Sequence, residues 1–143
     1  IETSGIEPAR LCFEITETAA VANLQNATYF MQELRARGCR FSLDDFGSGL
    51  SSFRYLKTLP VDFLKIDGEF IANVAQDTVD RSMVEAISQV GRTLGIATVA
   101  ERVETAEVLV ELEKIGIDFA QGFYLSRPLP IAEIGAALVA PAQ

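Results

Sequence analysis

Histidine is missing altogether from the 143 residues. Without an imidazole, Ser-His-Asp and Cys-His catalysis, histidine acid–base chemistry and imidazole-bound zinc are excluded within this chain. Cysteine is scarce: Cys12 and Cys39 lie in the apolar runs LCFEI and GCRFSL. Two reduced, half-buried strand cysteines are expected, rather than a disulfide or a metal pair. Positive charge is short as well, with 12 Lys and Arg against 20 Asp and Glu, a net charge of −8 and no basic cluster. Nonspecific binding to DNA or to an anionic membrane needs the opposite balance. No apolar run approaches the ~18 residues of a membrane span, and the first residues carry no basic-then-apolar signal pattern. No direct membrane insertion is expected of this segment, and a cytoplasmic setting is. Chemistry encoded here must rest on Asp, Glu, Lys, Tyr or bound metal. A ligand set of oxygens alone selects Mg²⁺, Mn²⁺ or Ca²⁺.

Apolar residues make up 49% of the chain, in short runs that alternate with amphipathic stretches. Strands are predicted at residues 11–15, 40–43, 63–66, 96–100 and 119–120. Helices are predicted at 20–37, 52–58, 70–75, 78–94, 106–115 and 131–138, with Gly38, Gly95 and Gly116 closing three of them. This alternation calls for parallel βαβ units with buried strands, an α/β fold. No linker or low-complexity tract divides it.

What ends each strand is the informative feature. The runs finish as FEITE, LDDFG, LKID, AERVE and AQG. In parallel α/β folds the C-terminal strand ends point at one face, where ligands bind. Glu14, Glu17, Asp44, Asp45, Lys65, Asp67, Glu101, Glu104 and Gln121 are therefore delivered toward one rim. So many acids repel one another unless a cation sits among them, and a divalent metal helped by Lys65 is the simple answer. Glu17, Asp67 and Glu104 each fit a plain helix N-cap equally well. Asp44-Asp45 is harder to explain without metal, because adjacent acids close one buried strand. Lys65, between Leu64 and Ile66, is expected to be buried and to face acids. The Gly47-Ser48-Gly49 turn is weak evidence for a phosphate loop, with Ser51 or Ser52 expected to cap the next helix.

FEITE, DDFGSGLSS, LKID, AERVE and QGFYLSRPLP, in this order, resemble the second half of EAL domains, from about Pro8 to Pro130. The resemblance implies a TIM-like (β/α) barrel that hydrolyses cyclic di-GMP to linear pGpG with a pair of Mg²⁺ or Mn²⁺ ions. It implies that Glu14 ligates the first metal, Asp44 bridges both and Asp45 ligates the second. By the same resemblance Lys65 stands beside the attacking water, and Glu101 helps to hold the second metal and its water. Gln121 matches a residue that orients water there. Glu17 matches the residue anchoring the loop at 46–52, which the family links to dimerisation. A homodimer through that loop and the adjacent helix is thus a further expectation. Two-metal chemistry suits a phosphodiester and needs no histidine.

Two departures bear on activity. The family's namesake Glu-Ala-Leu segment, an arginine shortly after it and an asparagine metal ligand all precede the FEITE strand in the family, and this sequence does not contain them. A full barrel takes roughly 250 residues. The chain, 1–143, is therefore expected to be the C-terminal part of a single EAL domain, inactive alone and with exposed sheet edges. Arg102 stands where the family usually has glycine, AERVE for AEGVE. It is either a tolerated change or a partner for Glu101 that weakens the site. The rival readings are an inactive EAL domain serving as a cyclic-di-GMP receptor or regulatory interaction module and, more remotely, an enolase-type lyase.

Overall fold

A computed structural model describes residues 5–47, 53–130 and 133. Strand β1 (Cys12–Thr16) leads into helices α1 (Glu17–Ala22) and α2 (Leu24–Arg35), then β2 (Arg40–Phe46). A single 3₁₀ turn at Tyr55–Lys57 precedes β3 (Phe63–Ile66). Helices α3 (Gly68–Asn73) and α4 (Thr78–Leu94) lead to β4 (Ala97–Ala100), and α5 (Ala106–Ile115) leads to β5 (Phe119–Ala120). The five strands lie side by side in chain order, every neighbouring pair parallel. Parallel neighbours need crossover connections, which α1 and α2 supply between β1 and β2, α3 and α4 between β3 and β4, and α5 between β4 and β5. A doubly wound sheet reverses its strand order at a switch point. This order never reverses, which is the arrangement of a TIM-like barrel wall.

Local chemistry explains where elements start and stop. Asp77 opens α4 by accepting from the backbone N–H of Val79 and Asp80 at 2.7 and 3.1 Å. Thr105 opens α5 in the same way through Val108. Gly95 and Gly116 close these helices in the left-handed conformation that glycine adopts most cheaply. The single helix predicted at 20–37 is two helices. Asn23 leaves helical geometry, and its side chain caps α2 through Asn26 N at 3.2 Å. In the stretch predicted as a helix at 52–58, the described residues 53–58 form only the 3₁₀ turn at Tyr55–Lys57. Ser51, Ser52 and nearly all of the helix predicted at 131–138 lie outside the described residues.

β2 runs three residues beyond its predicted end. After Leu43 its pairing with β3 shifts register and resumes at Phe46 opposite Ile66, with Asp45 at a φ of 54°. That is a bulge, not a strand end. The cysteines divide: Cys39 is buried just before β2, whereas Cys12 is exposed on β1, and both thiols are free. β1 pairs only with β2 among the described residues, so its side chains are less covered than those of the inner strands.

Phe41, Leu43, Leu64 and Ile66 of the inner strands pack with Met31, Ile71, Val84, Ile87 and Leu112 of the helices, all essentially solvent-free. Each such side chain stabilises the fold by roughly 1.5–3 kcal/mol. At the N-terminal strand ends, two aspartates tie neighbouring strands together. Asp62 accepts from Phe41 N at 2.8 Å and pairs with Arg35. Asp118 accepts from Thr98 N and Oγ1 at 2.7 and 2.8 Å. No described helix is long and apolar enough to cross a membrane.

Candidate metal centre

The opposite, C-terminal strand ends carry the polar cluster. Glu14 comes from β1, Asp44 and Asp45 from β2, and Lys65 from β3. Glu101 and Gln121 follow β4 and β5 directly. Successive side chains on a regular strand point to opposite faces, so adjacent aspartates should diverge. The bulge removes that obstacle. With Asp45 in the left-handed region, carboxylate oxygens of Asp44, Asp45 and Glu101 all fall within 4.8 Å of one another. Asp is among the few residues that tolerate this backbone geometry.

Lys65 sits at the centre. Its ammonium lies 2.8 Å from Glu101 Oε1, 2.9 Å from Asp44 Oδ1 and 3.2 Å from Glu14 Oε2. The lysine side chain is only 8% exposed, while that of Glu14 is 55% exposed. Burial alone would push the ammonium's pKa down. The carboxylates of Glu101, Asp44 and Glu14 outweigh it, and the net direction is up. Lys65 is therefore a fixed cation at neutral pH. Gln121 Nε2 donates to Glu101 Oε1 at 3.1 Å, steadying the same carboxylate from the neighbouring strand.

The rim between β4 and β5 is closed by backbone bonds. Gln121 N donates to Ala100 O at 2.9 Å, Val103 N to Gln121 O at 3.0 Å and Tyr124 N to Val103 O at 3.0 Å. Gly122 lies so near this crossing that a Cβ would collide with the backbone of Val103. Gln121 is thus held by its main chain as well as by its contact with Glu101.

The residues present fit a divalent cation. Two oxygens at about 2.0–2.6 Å from one ion are at most about 5 Å apart, which the trio of Asp44, Asp45 and Glu101 satisfies. Asp44 Oδ1 is buried and has no aligned hydrogen-bond donor, only the Lys65 charge beside it. All donors are hard oxygens, the set for Mg²⁺, Mn²⁺ or Ca²⁺.

The other rim residues stand apart from this cluster. Glu17 is buried in the first turn of α1, where Thr16 is the cap. Its carboxylate accepts from Gly47 N at 3.0 Å and from the Tyr55 hydroxyl, joining α1 to both sides of the segment 48–52. Burial and the Glu17 charge push the Tyr55 hydroxyl's pKa upward. Asp67 caps α3 through Glu69 N at 2.8 Å. Glu104 is exposed and leaves the capping of α5 to Thr105.

Arg102 has a φ of 52° and makes no ion pair among the described residues. Glu101 is engaged by Lys65 and Gln121 instead. Arg102 lines an open cleft of about 570 Å³ with Glu104, Gln121, Phe123 and Arg127. The Arg127 guanidinium stacks over the Phe123 ring at 4.6 Å. Sequence reasoning assigned no role to Tyr55, Gly68, Phe123 or Arg127. The QGFYLSRP run was a signal for the last two, while Gly68 and Tyr55 gave none.

The model of the family described as "EAL domain" matches residues 1–128. A cyclic di-GMP phosphodiesterase, PdeB of Shewanella oneidensis, is 48% identical over 122 residues, which is 85% of this chain and 14% of that protein. Among solved structures, the PaMucR phosphodiesterase in complex with c-di-GMP superposes with a TM-score of 0.85 at 42% identity. That match covers 90% of this chain and 52% of the other. Klebsiella pneumoniae BlrP1, solved as a manganese/cy-diGMP complex, gives 0.82 at 32% identity, covering 87% of this chain and 32% of its own. The chain therefore spans only part of the length of each of these three proteins.

Proposed function

We propose, from the premise that this chain belongs to the EAL domain family, that its complete domain hydrolyses cyclic di-GMP to linear pGpG. The chain would form the C-terminal part of that single domain. The observation that carries the reading is the convergence of Asp44, Asp45 and Glu101 beside a buried Lys65 that contacts two of them. Relatives named for this activity, and neighbours bound to the dinucleotide, support the choice of substrate.

Each residue has a distinct task. Glu14, Asp44, Asp45 and Glu101 would hold a pair of divalent cations, with Mg²⁺ or Mn²⁺ as the working ions. When bound, such ions supply a nucleophilic water at neutral pH and neutralise the phosphoryl oxygens. Lys65, held by Glu14, Asp44 and Glu101, serves as a charge and hydrogen-bond donor near the phosphoryl group and its attacking water. Gln121 orients Glu101, and through it the water that attacks phosphorus. Water adds to phosphorus, the P–O3′ bond breaks, and the departing 3′ oxygen takes up a proton. Glu17 anchors the loop at 46–52 through Gly47, and that loop with its adjacent helix is the surface for a homodimer. We place the domain in the cytoplasm, where a nucleotide messenger would act.

The test is direct. The intact domain is incubated with cyclic di-GMP and Mg²⁺ or Mn²⁺, and pGpG is followed by chromatography. No turnover in a folded sample with either metal would sink the hydrolase reading. Binding without turnover would favour a receptor.

A further inference from the structure

Arg102 occupies a backbone position that glycine would fill at lower cost, since its φ of 52° is disfavoured for any residue with a Cβ. Its aliphatic stem lies across Gly68, the buried first residue of α3. A Cβ at position 68 would collide with Arg102 Cδ and stand 2.7 Å from its Cγ. Two independent features therefore accommodate this arginine: a strained backbone and a glycine that leaves room for its stem. Strain of this kind persists where the surroundings enforce it, and it clusters at ligand sites.

Past Gly68 the side chain lines the cleft of about 570 Å³ that adjoins the carboxylate cluster at Gln121. Charge explains its use there. The rim carries Glu14, Asp44, Asp45, Glu101 and Glu104, and Lys65 is committed to three of them. Arg127 lies against Phe123, and Arg102 makes no ion pair among the described residues. A cyclic dinucleotide brings two phosphodiesters, of which only one can occupy the reacting centre. The other must lie beyond it and needs a cation.

Resting on the cyclic di-GMP reading above, we propose that Arg102 is a substrate-binding residue whose guanidinium holds the phosphodiester that is not cut. A planar guanidinium offers paired N–H donors to phosphate oxygens. The contact exists equally in ground and transition states, so it acts on binding and not on the chemical step.

The experiment uses the intact domain at low ionic strength. Arg102→Gly is expected to raise KM for cyclic di-GMP about 10-fold or more, the value of one charge-assisted contact. Its kcat should stay within about 3-fold and its Tm should equal or exceed that of wild type, because the backbone strain is relieved. Arg102→Lys should recover part of the KM. Gly68→Ala keeps the arginine but displaces its stem, and should raise KM in the same direction. A KM for Arg102→Gly within two-fold of wild type overturns the assignment, as does a loss confined to kcat. Wild-type protein that turns over no cyclic di-GMP overturns the hydrolase reading instead. Calorimetric Kd values for the dinucleotide, wild type against Arg102→Gly, then decide the role of Arg102 separately.

Discussion

Asp44 Oδ1 and Lys65 Nζ lie 2.9 Å apart on neighbouring strands, and this contact stabilises a rim that would otherwise repel itself. The lysine is buried, yet it is surrounded by acids from three strands. It is therefore a built-in counter-charge for the carboxylates of this rim.

Replacing Lys65 with Met keeps the stem and removes the charge. The metal-free domain should lose about 2 kcal/mol, below the range for breaking a fully buried pair because Glu14 is half exposed. Turnover should fall about 100-fold or more. Mg²⁺ should raise the Tm of Lys65→Met by more than it raises that of wild type. Melting curves with and without the ion, alongside initial rates, check all three.

The pH dependence of that difference follows from the direction of the lysine's shift. Burial opposes the charged form, but Glu101, Asp44 and Glu14 raise the folded-state pKa above the unfolded one. The stabilisation is thus complete below the ordinary lysine value of about 10.4 and is lost only as pH rises through the folded value. The stability gap between wild type and Lys65→Met should be flat from neutral pH to about pH 10 and close above it. Denaturant titrations across that range measure it, and a gap that closes before about pH 9 contradicts the assignment.

Asp45→Asn separates the charge of Asp45 from its backbone role. Asn accepts the left-handed conformation nearly as well as Asp, so stability should hold within about 0.5 kcal/mol. Divalent-ion affinity should drop at least about 10-fold. Asp45→Val, with a β-branched side chain at a φ of 54°, should instead destabilise the fold by about 1–2 kcal/mol. Calorimetric titration with Mn²⁺ and thermal melts distinguish the two variants.

Asp118→Ala should do the reverse. It leaves the buried N–H and hydroxyl of Thr98 without their acceptor, at a cost of about 1–3 kcal/mol. The kcat and KM of the folded fraction should stay within about two-fold, because no reacting group is at this end of the sheet. Denaturant midpoints and steady-state kinetics report the two quantities independently.

Much of this was legible in the sequence, for identifiable reasons. β3, α4, α5 and β5 fall on their predicted limits because proline, glycine or a capping side chain marks their ends. Lys65 stood out as a charge between Leu64 and Ile66 in a buried run. What escaped depends on backbone torsion. Nothing in DDFG announces that Asp45 bends β2 so that two adjacent carboxylates converge. Asn23 reads as an ordinary polar residue on a helix until its own φ breaks that helix in two. Arg102 could be flagged as unusual, but not that it lies on Gly68, 34 positions away in the chain. Tyr55 and Glu17 meet across 38 residues, a pairing no local pattern encodes.

The separation of Asp62 and Asp118 from the carboxylate rim has a consequence for adaptation. Asp62 stands three positions before Lys65, Thr98 three before Glu101 and Asp118 three before Gln121, so about 10 Å of chain divides the groups that register the strands from those that would meet a ligand. Mutations at one end can be selected for new chemistry while the other end keeps the scaffold folded. A library randomised only at Glu14, Asp45, Glu101, Arg102 and Gln121 should therefore be rich in soluble members, and one spread over Asp62, Thr98 and Asp118 poor in them.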